Sequence, residues 1–147
     1  MMDIVKGMDL KDYFMSHVKK TENKNFYEVV KPLYVFKKTI TTGETFRSCI
    51  TNLIIPKGAI IYCCANVFDY FNQRVDRKMR ASKAIVHSSV RIADTNKTDN
   101  TWSLQDATFI YKNGKTVNPR FGFSMKNSHC ESGIHFFLNL QDAIDYY

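Results

Sequence analysis

The chain has 147 residues, the size of one domain, and 44% of them are hydrophobic, which is enough to form a core without disulfides or metal. No apolar run is long enough to span a membrane, and the first residues lack the apolar stretch of a signal peptide. We therefore expect no membrane span, and we expect the four cysteines to be free thiols without disulfides. The net charge of +7 favours a polyanionic partner.

The charge is unevenly distributed along the chain. Between Lys57 and Arg91, seven basic residues are opposed by two acidic ones, whereas the last 17 residues carry three acidic residues and no lysine or arginine. This polarity indicates an oriented surface, which suits a protein partner as well as a nucleic acid.

The first predicted element is a helix over residues 10–19. Leu10, Phe14 and Val18 recur at intervals of four residues and form one apolar stripe, and Asp9 can cap the helix. A polar break follows at residues 21–25. It predicts that residues 1–30 form a helical arm, separate from a single domain over residues 31–147.

Most of the remaining chain predicts strands. The expected strands are residues 33–40, 50–55 and 59–64, one long strand or a strand with a kink over 80–93, a hairpin of 108–111 and 116–117 about Asn113-Gly114, and residues 134–138. Residues 66–77 predict a loop or a short helix, and Asn139 caps a final helix. The predicted fold class is α+β, a strand-rich, mostly antiparallel sheet with an N-terminal helix and a short C-terminal helix packed on it.

The long strand has a period of two. This period predicts that Ala84, Val86 and Ser88 lie on one face, with His87 and Ser89 on the other.

The densest basic segment is a candidate interaction surface. It contains Arg74, Arg77, Lys78, Arg80 and Lys83. A run of this kind is typical of a solvated face, and the alternative is a contact for nucleic acid or for an acidic protein surface.

The segment Cys130-Glu131-Ser132-Gly133-Ile134-His135-Phe136-Phe137 is the most informative part of the sequence. Gly133 permits a sharp entry into a strand on which Ile134 and Phe136 share one face. His135 is then expected to be half-buried and hydrogen-bonded.

Four segments carry a family resemblance. They are residues 54–59, 77–86, 109–117, and 130–137 together with Ala143 and Tyr146. In this order they resemble an uncharacterised domain family of large DNA viruses, phages and bacteria that often accompanies pentapeptide repeats. The resemblance covers about residues 33–147 and implies a viral or phage-type origin, but no particular activity. Met79 stands where that family commonly has cysteine, so a role for a thiol there is lost.

The Gly133-Ile134-His135-Phe136 motif, followed by Tyr146, is also similar to the Gly-Ile-Tyr-Phe segment of ADP-ribosyltransferases. This similarity implies that His135 and Tyr146, with Cys130 beside them, line a nucleotide or NAD-type pocket. The first motif of those enzymes is missing after Tyr34, and no glutamate follows the signature. The similarity therefore implies a degenerate, non-catalytic relative.

A zinc site is a further alternative. Its ligands would be His129, Cys130, His135 and one of Cys63 and Cys64, but this is not a standard ligand spacing. No metal and no other cofactor is predicted.

Three functions remain open, and no catalytic constellation stands out. The leading hypothesis is a non-enzymatic structural or interaction protein of a large DNA virus, such as a minor capsid protein or another virion component. Its partners would be other viral capsid proteins, and its location the virion and the host cytoplasm. The alternatives are a nucleic-acid-binding accessory protein that uses residues 74–83, and a nucleotide or NAD-type pocket protein.

Overall fold

The computed structural model describes residues 10–41, 47–63, 78–106, 108–128 and 131–146. The elements in chain order are α1 (Leu10–His17), β1 (Val18–Lys20), β2 (Phe26–Val29), β3 (Leu33–Thr41), β4 (Arg47–Ile55), β5 (Ile60–Cys63), β6 (Met79–Ala81), β7 (Ala84–Arg91), β8 (Lys97–Thr98), β9 (Asn100–Ser103), β10 (Ile110–Lys112), β11 (Thr116–Val117), β12 (Ile134–Phe136) and α2 (Leu140–Asp145). The chain is thus strand-rich with two short helices, in agreement with the predicted α+β class.

The strands form two antiparallel sheets, where a single sheet was expected. Sheet A has the order β1-β2-β5-β6-β12, and sheet B has the order β10-β9-β3-β4-β7-β11, with β8 also pairing to β7. An isolated bridge between Phe36 on β3 and Phe137, directly after β12, joins the two sheets. The C-terminal strand therefore belongs to one sheet and ends on the other.

Sheet B is strongly curled. Its edge strands β10 and β11 are linked by residues 113–115, a connection that spans at most about 14 Å. The edges of a flat sheet of six strands would lie about 24 Å apart, because neighbouring strands are about 4.8 Å apart. The sheet therefore bends until its two edges come close, and its concave face encloses side chains.

The predicted hairpin about Asn113-Gly114 is wrong in its pairing. The turn exists, with Gly114 at a φ of +82° and a hydrogen bond from the Lys115 amide to the Lys112 carbonyl. However, β10 pairs with β9 and β11 pairs with β7. The turn closes the curled sheet, and the Asn-Gly signal identifies a tight turn but not the strands that pair across it.

The alternation predicted along β7 is interrupted by a β-bulge. Val86 pairs with Leu53 and Ser88 with Asn52, so that His87 is an additional residue on β7. The faces exchange at this point, and Ser89 is buried while Ser88 is only half-buried. A bulge of this kind has no signature in the sequence pattern.

Residues 10–30 do not form the separate arm predicted from the polar break. They supply β1 and β2 of sheet A, and Tyr13 and Phe14 of α1 are 2% and 0% exposed within the main core. The polar residues 21–25 form the tight β1–β2 connection, because the Thr21 amide donates to the Phe26 carbonyl across it. In the chain as described, no helix is both long and apolar enough to cross a membrane.

Candidate functional site

A cleft of about 500 Å³ opens at the junction of the two sheets. Lys37 and Lys38 of β3 line one side, Ile134 and His135 of β12 another, and the segment that contains Pro119, Arg120 and Phe121 a third. The volume lies within the range of about 300–1,000 Å³ that is typical of small-molecule sites.

Lys37 is the most unusual side chain in the cleft. It lies on the concave face of β3 and is 8% exposed, and its Nζ donates to the backbone carbonyl of His135 at 2.8 Å. The ammonium also lies 5.7 Å from the centre of the Tyr111 ring. Among the residues that the structure describes, no carboxylate forms an ion pair with Lys37. Burial, with the charge of Lys78 as a further cause, lowers the pKa of Lys37 from 10.5 to about 7.

Lys78 is a further cation in the lining of the cleft. Its Nζ lies 5.4 Å from the centre of the Tyr146 ring, and Tyr146 packs against Phe137 with ring centroids 5.4 Å apart. Gln105 Nε2 donates to the Tyr146 hydroxyl at 3.0 Å, so this ring is held from two sides. Lys78 and Tyr146 therefore form a cationic and aromatic wall.

Another part of the lining combines an ion pair with aromatic rings. Asp106 accepts from Arg120 Nε at 2.8 Å, and hydrogen bonds from Thr108 hold the pKa of this carboxyl below its usual range. Burial raises the pKa of Tyr111, so its phenol stays protonated. Phe121 is 87% exposed at the mouth of the cleft, a position at which an aromatic ring can contact a bound molecule.

The structure brings together two of the three predicted pocket residues. His135 and Tyr146 both line the cleft. Cys130 lies outside the described residues, as do Cys64 and His129 of the zinc alternative. Within the described ranges, no group of three His, Cys, Asp or Glu side chains is arranged to hold a metal ion.

Arg80 does not belong to the basic surface predicted from residues 74–83. It is 0% exposed, and its guanidinium donates to four backbone carbonyls at 2.5 to 3.0 Å. The four acceptors are Ser124, Lys126, Ser128 and Ser132. The rings of Tyr62 and Phe123 lie 4.6 and 4.9 Å from Arg80 Cζ. The arginine is buried because carbonyl oxygens and aromatic faces replace its water, a feature that a count of charges does not reveal.

The structure describes two of the four remaining members of the basic segment. Lys78 faces the cleft, Lys83 is exposed outside it, and Arg74 and Arg77 lie outside the described residues.

Gly133 is explained by Arg80. A Cβ at position 133 would lie 2.8 Å from Arg80 Cβ, closer than real Cβ contacts allow. Gly133 is not among the glycines with positive φ, so the sharp entry predicted from the sequence is not the reason for it. The pairing of His135 with Arg80 between β12 and β6 fixes this close approach. The signature glycine thus makes room for the arginine stem.

A buried cluster of hydroxyl groups was not predicted. Thr51 Oγ1 lies 2.9, 2.7 and 2.9 Å from the hydroxyls of Thr39, Ser89 and Thr101. Because a hydroxyl donates once and accepts twice, Thr51 is saturated. Thr51 and Thr101 belong to strands separated by β3, so their contact requires the curl of sheet B. Their places in the strands gave no signal, because the alternation alone does not distinguish a buried threonine from an exposed one.

Comparison with known proteins places the chain in a viral context. The model of a family of unknown function, DUF5758, matches residues 16–143. The chain is similar to Uncharacterized protein L223 of Acanthamoeba polyphaga mimivirus, with 37% identity over 101 residues. This match covers 66% of the chain and 61% of the relative, so the chain spans about three fifths of that protein's length. No solved structure matches the chain at a significant level. The expected resemblance to an uncharacterised family of large DNA viruses is confirmed in this form.

Proposed function

Because the chain belongs to DUF5758, a family of unknown function, its activity has to be inferred from the cleft, and we propose that the cleft binds a small anionic ligand that carries a flat ring. Nucleotides are the first class to test, since they combine phosphate with a ring.

The observation that carries this proposal is that two lysines, Lys37 and Lys78, line the same cleft. Both side chains line the cleft, and the repulsion between their like charges contributes to the lowered pKa of Lys37. An anion placed between them would relieve this repulsion, and partial exclusion of water strengthens the attraction. A site that binds a cation would require the opposite charge at these positions.

The aromatic residues of the cleft are the evidence for a flat ring in the proposed ligand. Phe109, Tyr111 and Tyr146 line the cleft, and Phe121 projects at its mouth. Such side chains bury the faces of planar ligands and add about 1–3 kcal/mol per stacked base in single-stranded nucleic-acid complexes. His135 also lines the cleft, which supports the pocket role that its motif implies.

Calorimetric titration of the intact protein with AMP, NAD and inorganic phosphate at low salt tests the proposal. Lys78→Ala should weaken nucleotide binding about tenfold, which corresponds to about 1.4 kcal/mol, whereas Lys83→Ala, a matched lysine outside the cleft, should leave it unchanged. Phe121→Ala should weaken AMP but not phosphate. Equal losses from Lys78→Ala and Lys83→Ala, or no heat with any of the three ligands at millimolar concentration, would contradict the proposal.

A second candidate function concerns the viral context. We propose a non-enzymatic role as a virion component that contacts capsid proteins, supported by the mimivirus relative and by the exposed apolar side chains of Ile110, Phe121 and Met125. Quantitative mass spectrometry of purified virions should find the protein at a defined copy number. Detection of the protein only in the cytoplasm of infected cells would contradict this second candidate function.

Contact between nucleic acid and the basic segment stays a prediction, with the buried Arg80 no longer part of the surface. Binding that falls steeply with salt and weakens in Lys83→Glu would favour it.

A further inference from the structure

We propose that Lys37 forms a reversible imine with an aldehyde or ketone that carries an anionic group. This proposal rests on the proposed binding of anions in the cleft and adds a covalent step to it. It assigns the cleft a class of ligand, anionic carbonyl compounds.

The position of the Lys37 amine suits this step. The residue is almost fully buried on the concave face of sheet B, yet it lines the cleft. The amine donates one N–H to the His135 carbonyl at 2.8 Å, which fixes its orientation. A neutral amine has two N–H groups and one lone pair, so this hydrogen bond leaves the lone pair available.

The surroundings of Lys37 favour the neutral amine, which is the nucleophilic form. Burial and the neighbouring Lys78 bring its pKa to about 7, whereas an unperturbed lysine stays protonated to about 10.4. Desolvation and an adjacent cation are the two ways in which lysines are activated to attack carbonyl carbons. Lys78 serves both needs, because it disfavours the ammonium of Lys37 and attracts the anionic group of the ligand.

The reaction balances without an oxidant or a reductant. The lone pair of Lys37 Nζ forms a bond to the carbonyl carbon, and the electron pair of the C=O bond takes up a proton from water. The nitrogen returns one proton to the solvent, which gives a neutral carbinolamine. The hydroxyl group then leaves as water with the second proton of the nitrogen, and the C=N bond forms. Amine and carbonyl compound thus give an imine and one molecule of water, and hydrolysis reverses the step.

Trapping with pyridoxal 5′-phosphate tests the inference, because this probe has an aldehyde, a ring and a phosphate. The intact protein is incubated with a stoichiometric amount at pH 7.5 and reduced with borohydride, and the modified lysines are located by peptide mass spectrometry. We expect Lys37 to be labelled at least tenfold more than Lys83. The label at position 37 should disappear in Lys37→Arg, with the circular dichroism of the folded protein retained.

Pyridoxamine 5′-phosphate separates the two proposals, since it has the same ring and phosphate but no aldehyde. Binding of this compound without labelling of Lys37 overturns the imine and leaves the anion site intact. Labelling at Lys78, or equally at Lys37 and Lys83, also overturns the imine. If pyridoxamine 5′-phosphate does not bind and pyridoxal 5′-phosphate does not label Lys37, both proposals fail.

Discussion

Replacing Lys37 by methionine should change how the stability of the protein depends on pH. In the folded protein Lys37 releases its proton near pH 7, whereas in the unfolded chain it does so near 10.5. Between these two values the unfolded chain binds one more proton than the folded protein. The free energy of unfolding therefore rises with pH across this window, by up to about 1.4 kcal/mol per pH unit from this group, and below the window the group has no influence on the slope.

The size of the effect follows from these two pKa values. A difference of about 3.5 pH units corresponds to a destabilisation of about 5 kcal/mol at low pH, as an upper bound. Methionine removes this cost but leaves the His135 carbonyl without its donor, which costs about 1–3 kcal/mol. The free energy of unfolding of the variant should thus exceed that of the wild type by about 2 kcal/mol or more at pH 6.5. This difference should vanish or reverse by pH 10.

Urea denaturation followed by circular dichroism, at half-unit steps from pH 6 to 10, measures the difference directly. Subtracting the two curves removes the titration of cysteines and tyrosines that both proteins share. Lys83→Met provides the matched control and should run parallel to the wild type. If the curves of Lys37→Met and the wild type were parallel to within about 0.5 kcal/mol, the argument from burial would be refuted.

Three further substitutions test the buried contacts. Gly133→Ala should lower the free energy of unfolding by about 1–3 kcal/mol in urea denaturation, because its Cβ would overlap Arg80 Cβ. Arg80→Lys should cost more than about 3 kcal/mol, since an ammonium cannot reach the four carbonyls, and amide hydrogen exchange in residues 121–128 should accelerate. Thr51→Val should cost about 1–3 kcal/mol by removing the centre of the hydroxyl cluster, with the exposed Thr116→Val as a near-neutral control.

Each of these expectations can fail in a recognisable way. At an unhindered, unstrained site, glycine to alanine stabilises a protein by about 0.4–1 kcal/mol, so a gain in Gly133→Ala would disprove the overlap. Unchanged exchange in residues 121–128 of Arg80→Lys would mean that the arginine does not hold this loop. If Thr51→Val lowered the free energy of unfolding no more than Thr116→Val does, the hydroxyl contacts would make no net contribution to stability.

Local elements were predictable where one short-range interaction decides the structure. Asn139 caps α2 as predicted, and its side chain accepts from the amides of Gln141 and Asp142. The strand predicted over residues 33–40 corresponds to β3 (Leu33–Thr41). Long-range contacts could not be predicted in the same way, because hydrogen-bond partners such as Arg80 and Ser132 are 52 residues apart and nothing in the local pattern connects them.

The cleft could be predicted only in part. A motif indicates His135 and Tyr146, whereas the density of basic residues does not single out Lys37. A signal for it was present: Leu33, Val35, Lys37 and Thr39 share one face of a strand, and the first two are apolar. A lysine on an inward face is unusual enough to mark a site. Its approach to Lys78 depends on the fold, and no sequence pattern indicates it.

The cage of carbonyls around Arg80 also sets an order of events during synthesis. The four acceptors lie 44 to 52 residues after the arginine in the chain. At about 5–20 residues per second, a ribosome needs roughly 3 to 10 s to make this stretch. During this interval the guanidinium has no acceptors and stays in water, because burying an uncompensated charge costs several kcal/mol. We therefore expect β6 to pair with β5 only after Ser132 has been made, so that sheet A closes later than sheet B, whose described strands all precede residue 118.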